Sequence, residues 1–313
     1  MLAHLRAVRR VGILVGSFGT FTHPLMPSSP SLTVVVLLVC FTGAVAAFLG
    51  VSVKRWLAAR RQALEPPPLP VGKVAIWPYH LIDWVWMGFL VLAYGAVSIS
   101  NAQFADKGTE TTISAAGLIQ SIGFQLVLTG MTVVVMIWRI RPIAWLGLNW
   151  PGWRWVLLIG PVSVLAIWAL NASLMFSGFM KWIETLGVEP MQDSVKLLLE
   201  TTDPMVLGLM AVAAVVVAPV CEEIMFRGYL YPAAKRFAGP WVAGIGSALI
   251  FAAAHGSLAP LLPLFAFGCL LVLAYEMTGS LWAPIAMHFC FNGATVLIQL
   301  AVRFSGIPIP ENL

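Results

Sequence analysis

Cys221-Glu222-Glu223-Ile224-Met225-Phe226-Arg227 closes an apolar stretch that begins near Met205. The stretch is long enough to cross a bilayer, which takes ~20 mostly apolar residues. Ionised groups inside it are costly, ~2.5–3.5 kcal/mol each on insertion scales, so they are expected to have partners and a purpose. Two histidines on later apolar segments, His255 and His288, are candidate partners.

The rest of the chain reads the same way. It is 60% hydrophobic and 10% charged, with a mean hydropathy of +0.91, whereas a soluble domain carries about 25% charge. This composition describes an all-helical, polytopic transmembrane bundle. About eight spans are expected, near 31–53, 81–100, 114–138, 155–178, 205–231, 241–256, 260–277 and 281–302, the sixth being short for a crossing. Neither β-barrel alternation nor an internal repeat is visible. The net charge of +5 lies mostly in short loops, where it sets orientation, so no nucleic-acid partner is expected. Cys40, Cys221, Cys269 and Cys290 all lie in apolar segments and read as packed small hydrophobes, without zinc-finger spacing.

Three regions follow. Residues 1–80 hold one span and the stiff linker Pro66-Pro67-Pro68-Leu69-Pro70, which breaks any helix and separates that span from the rest. Residues 81–200 hold membrane helices without a recognisable motif, and residues 201–302 hold the clustered polar groups. Between spans four and five lies an acidic connection with Glu184, Glu189, Asp193, Glu200 and Asp203. Its Val195–Leu199 patch reads either as a short helix on the membrane surface or as an ordinary solvated loop. Lys54, Arg55, Arg60, Arg61 and Lys73, then Arg139, Arg141 and Arg154, then Lys235 and Arg236 fall on one side of an eight-span chain. That side is expected to be cytoplasmic, with both termini opposite. Arg6, Arg9 and Arg10 before the short run Val11–Phe21 oppose that placement of the N-terminus. The run reads as an interfacial helix, a signal-like segment or a ninth span, with no convincing cleavage site.

The polar residues pair by helical spacing. Glu223 and Arg227 are four apart and share a face, so Arg227 can neutralise one carboxylate and leave the other for chemistry. A free carboxylate in a partly dry cavity suits a general base; a structural ion pair is the bland alternative. Phe251 and His255 are also four apart, as are His288 and Asn292. An imidazole and an amide are donors suited to an oxyanion, and equally to an interhelical hydrogen bond. Counted along the helices, Glu222 lies ~14 Å and His288 ~11 Å in from the same side, with His255 deeper. Asp83 lies at an end of span two, and Glu276 closes the seventh span and reads as interfacial.

Glu222-Glu223-x-x-x-Arg227, Phe251-x-x-x-His255 and His288-x-x-x-Asn292, in order on separate apolar helices, resemble the three motifs of the intramembrane CAAX-protease and bacteriocin-processing (Abi) family. The resemblance covers about residues 200–300. It implies an all-helical fold and hydrolysis of a peptide bond by activated water in an intramembrane cavity. By position it makes Glu222 the general base, with His255 helping to hold the water. His288 and Asn292 would stabilise the oxyanion, while Glu223, Arg227 and Phe251 support the site. No cofactor is expected, because no His-Glu-x-x-His pair is present. Two histidines and a glutamate leave zinc open. The expected partners are the lipid bilayer and a membrane-associated protein or peptide, cut in CAAX-type processing, peptide maturation or bacteriocin self-immunity. The C-terminal Pro308-Ile309-Pro310-Glu311-Asn312-Leu313 carries no retention signal, and a bacterial inner membrane is the expected location. A proton-coupled transporter using Glu222, Glu223 and His255 as a relay, or a catalytically silent scaffold or immunity protein, remain the alternatives.

Overall fold

Backbone groups in hydrocarbon must be hydrogen-bonded within their own segment, and the apolar runs accordingly form helices. The computed structural model describes residues 31–62, 72–76, 80–106, 114–186, 188 and 193–305. The helices are α1 (Leu32–Gln62), α2 (Leu81–Asp106), α3 (Ala115–Ile137), the short α4 (Pro142–Trp145), α5 (Val156–Phe176), α6 (Phe179–Thr185) and α7 (Asp193–Glu200). A continuous helix, Pro204–Ala238, then comprises α8 (Pro204–Val212), a π turn Ala213–Val217, α9 (Ala218–Glu222), a π segment Glu223–Leu230 and α10 (Tyr231–Ala238). It is followed by α11 (Pro240–Ala253), α12 (Leu261–Thr278) and α13 (Trp282–Ser305). No strand occurs among the described residues.

Among the described residues, seven helices are long and apolar enough to cross a membrane. The expectation of about eight spans holds with one short member. The sixth, α11, has 14 residues and measures about 21 Å, less than the ~30 Å hydrocarbon core. The fifth is longer than its sequence suggested. It runs past Tyr231 to Ala238 because Lys235, which looks like a loop charge, is fully buried and paired with Glu276. It starts where Asp203 accepts a hydrogen bond from the Met205 N–H at 2.8 Å, with Pro204 in the first turn, a favoured helix entry.

α1 packs against α2, α10 and α11 and buries Val34, Leu37, Phe41 and Ala44. The first span is therefore distant from the polar helices in sequence and adjacent to them in space. α13 packs on α5 and α12. A side chain at Gly160 of α5 would meet Cys290 Sγ at 2.7 Å, so the glycine admits α13. Lipid-facing positions such as Val39, Leu92, Phe176 and Leu297 stay exposed and apolar.

One end of the bundle collects the basic loops. Lys235 Nζ donates to the Val74 carbonyl at 3.0 Å, and the Lys73 N–H donates to the Glu276 carbonyl at 3.1 Å. The Leu281 N–H donates to Leu146 O at 2.8 Å. Two acidic residues at span ends are ion-paired: Asp83, fully buried, with Arg139, and Glu276, partly buried, with Lys235. The Val195–Leu199 patch forms α7, and its Leu198 is buried against Val206, Met210 and Val296. The expectations for Arg6, Arg9, Arg10 and Val11–Phe21, for Arg61 and Pro66–Pro70, for Glu189 and for Pro308–Leu313 fall outside the described residues or side chains.

Candidate active site

The two π segments bracket Glu222. Such wide turns are rare in helices and occur frequently at functional sites. Here they change the angular spacing of the side chains on either side of the carboxylates. Asn292 Nδ2 donates to the carbonyl of Ala214, inside the first π turn, at 2.7 Å. Asn292 thus ties α13 to the helix that carries the carboxylates, and one of its two amide protons is committed to that bond.

Glu223 is the centre of the buried ion cluster. Its Oε1 accepts from Arg227 Nη1 at 2.9 Å and lies 3.0 Å from His288 Nδ1. Glu223 and Arg227 are fully buried, and His288 is 3% exposed. Arg227 Nη2 also donates to the Gly268 carbonyl at 3.2 Å. Gly268 is where α12 closes on α11, since a side chain there would meet Ala248 at 3.0 Å. A carboxylate only accepts, so His288 Nδ1 carries a proton toward Glu223. Its Nε2 donates only if the ring is an imidazolium.

Glu222 differs from its neighbour. It is 8% exposed, and its Oε2 is buried without a hydrogen-bond partner. The two carboxylates therefore stand in different environments: Glu223 binds Arg227 and His288 through Oε1, its own Oε2 being buried without a partner as well, whereas Glu222 pairs directly with neither cation.

Phe251 organises the remaining groups. Its ring is fully buried, with the Arg227 guanidinium carbon 4.3 Å from its centroid. It meets His255 and His288 edge-on, at 5.1 and 5.7 Å between centroids. His255 sits in the turn just beyond α11 and is exposed. Its Nδ1 lies 2.9 Å from the Phe251 carbonyl, which fixes that nitrogen as the donor and turns Nε2 into an acceptor. Gly256 follows in a left-handed conformation, φ 71°, with α2 so close that a side chain would meet the Ser98 carbonyl at 3.1 Å. Ser98 Oγ in turn donates to the Ala253 carbonyl.

The structure thus joins Glu223, Arg227 and His288 by direct bonds and adds Phe251 and His255 through ring contacts. It attaches Asn292 to the backbone of the same helix. Sequence reading missed Phe267, which meets His288 edge-on at 5.6 Å, and the Ala214 and Gly268 carbonyls. A backbone acceptor has no side-chain signature, and one more phenylalanine in an apolar helix carries none either. Among the described residues, no group of three His, Cys, Asp or Glu side chains is placed to hold a metal ion. Cys221 is buried in the core, and Cys290 packs beside Gly160.

Residues 204–294, which contain every motif residue above, match the family model described as type II CAAX prenyl endopeptidase Rce1-like. "Putative membrane peptidase YdiL" of Bacillus subtilis is 34% identical over 92 residues, 29% of this chain and 38% of the relative. "Membrane-embedded CAAX protease MroQ" of Staphylococcus aureus is 36% identical over 91 residues, 27% of this chain and 37% of the relative. The matched part spans little more than a third of the length of either relative. No solved structure matches the chain significantly. The resemblance read from the motifs is borne out. With seven apolar helices and bacterial relatives of this kind, the chain is a multi-pass membrane protein of bacterial type.

Proposed function

We propose that this chain, whose residues 204–294 match the type II CAAX prenyl endopeptidase Rce1-like family model, is an intramembrane endopeptidase that hydrolyses a peptide bond by glutamate-activated water. The observation that carries the reading is the split between the two carboxylates. Glu223 is ion-paired through Oε1 with Arg227 and His288, whereas Glu222, buried beside it, makes no direct ion pair with either cation.

A water bridging Glu222 and His255 Nε2 loses a proton to Glu222 as its oxygen attacks the scissile carbonyl carbon. The carbonyl oxygen becomes an oxyanion, for which His288 Nε2–H and the second Asn292 amide proton are the available donors. The carbon–nitrogen bond then breaks, and the proton held by Glu222 passes to the leaving nitrogen. The products are a carboxylic acid and an amine, which exchange the remaining proton to leave as carboxylate and ammonium, and no covalent enzyme intermediate forms. Two carboxylates, one guanidinium and one imidazolium would sum to no net charge, which limits the cost of burying such a cluster.

The proposed mechanism needs no bound metal. The substrate class is a membrane-associated protein or peptide, processed in CAAX fashion, matured from a precursor or cleaved in bacteriocin self-immunity. The test compares new N-termini among membrane proteins from cells carrying the wild type or Glu222→Gln at equal expression. Cleavages present only with the wild type, and unaffected by chelators in isolated membranes, are expected. Identical fragment sets would remove the proteolytic reading.

A further inference from the structure

On the far side of the carboxylate-bearing helix lies a cavity of about 230 Å³, enclosed by α1, α2, α10 and α11. Its walls are mostly apolar, with Phe48, Trp84, Met87, Val91 and Ile250 among the lining residues. The space exists because small residues face it. Built side chains at Gly88 of α2 and Gly246 of α11 would meet nothing within 4 Å. Ser247 brings the one side-chain hydroxyl among the lining residues: its Oγ, on a residue 3% exposed, is buried and has no hydrogen-bond partner. A serine hydroxyl in a helix can bond the carbonyl one turn back; this one does not.

We propose that this cavity is a binding site for one acyl chain of a bilayer glycerolipid, with the Ser247 hydroxyl donating to its ester carbonyl. Three observations select that occupant. The cavity reaches the lipid-facing surface, because Leu49 and Gly88 are both lining and exposed. Its chemistry matches a hydrocarbon chain that carries one acceptor. It is larger than an apolar cavity of ~150 Å³, which stays dry and takes up benzene. Depth agrees as well. Ser247 lies eight residues from Gly239, at the polar end that holds Lys235 and Glu276, a distance of about 12 Å along the helix. The headgroup layer is itself about 5–8 Å thick, so the hydroxyl stands just below the level of the lipid esters.

The occupant would contact Leu230 and Ala234, and so the back of the helix that carries Glu223 and Arg227. Two of the four walls come from α1 and α2, outside the segment shared with the relatives. The site is therefore distinct from the carboxylate cluster.

The full chain, reconstituted in phosphatidylglycerol–phosphatidylethanolamine vesicles with a small fraction of phospholipid carrying a diazirine on one acyl chain, is irradiated and its adducts are mapped. Adducts on Met87, Val91 or Ile250 are expected in the wild type. Gly246→Leu and, from the opposite wall, Gly88→Leu fill the space and should remove these adducts while leaving those on the outward-facing Leu92 and Val39. Ser247→Ala should lower cavity labelling about fivefold, as for the loss of one hydrogen bond. Retained size-exclusion behaviour in detergent shows that a filled variant is folded, and the two filled variants serve as independent replicates. Cavity labelling that survives both filled variants, or that never exceeds labelling of the outer surface, would overturn the assignment. So would displacement of the phospholipid label by a lipidated peptide, which would make the cavity a substrate site.

Discussion

Glu222 and Glu223 are neighbours in sequence with opposite obligations, and the difference predicts different phenotypes. Glu223→Gln removes the negative partner of a fully buried guanidinium. Leaving a buried charge uncompensated costs about 3–5 kcal/mol, so this variant should melt markedly lower in detergent, whatever its activity. Glu222→Gln replaces a carboxylate whose Oε2 has no partner. It should keep the wild-type melting temperature and lose hydrolysis. Thermal unfolding and cleavage assays on the two variants separate the roles; equal losses of stability would show that both carboxylates are structural. The pairing of Glu223 with Arg227 was legible from their spacing of four, because a charge in an apolar run demands a partner close by. The bond from His288 to Glu223 was not, because sequence spacing says nothing about which face of one helix meets another. The role expected of Asn292 carries an addition for the same reason: the Ala214 carbonyl takes one of its amide protons.

Among the elements, α7 shows how a short helix gains a fixed position. Its Leu198 is buried in a small apolar cluster, and Arg303 of α13 donates to the Leu198 and Thr201 carbonyls at its C-terminal end. A cation there satisfies carbonyls that lack helical partners and complements the helix dipole, worth about 0.3–1 kcal/mol at exposed sites and more when partly buried. Arg303→Ala should raise amide hydrogen exchange across residues 193–200 several-fold and leave α12 unchanged. Unaltered exchange in α7 would show that Leu198 alone holds it. From sequence, Val195–Leu199 could be a loop or a surface helix, because eight residues carry too little pattern to separate the two. Helix ends were the least legible feature. The fifth helix seemed to stop at Tyr231 because Lys235 and Arg236 look like an exit into water, and only the distant Glu276 reveals that Lys235 stays inside. The π segments left no trace in the sequence either, since they change the rotation of the helix and not its composition.

At the scale of the whole molecule, every motif residue lies within 204–294, yet the bundle does not end there. α1 covers α10 and α11 with Leu37 fully buried and Phe41 nearly so, and Asp83 of α2 pairs with Arg139 in the turn after α3 and accepts from Tyr229 at 2.7 Å. Removing α1 would expose these faces and open one wall of the Ser247 cavity. A chain lacking residues 32–62 should therefore accumulate poorly or aggregate in detergent despite an intact set of site residues, and co-expression of α1 as a separate fragment should restore it. A monodisperse, active truncation would show that the segment shared with the relatives is self-sufficient.

The ionised groups around Glu223 sum to zero when Glu222 is deprotonated and His288 is charged. A neutral set of groups that rearranges within the bilayer moves no net charge across it, whereas each unpaired elementary charge carried fully across would exchange about 2.3 kcal/mol with a potential of 100 mV. The site would then be electrically silent. Peptide cleavage should proceed at one rate in energised and uncoupled vesicles, as hydrolysis at a balanced centre would and a proton relay driven by the membrane potential would not.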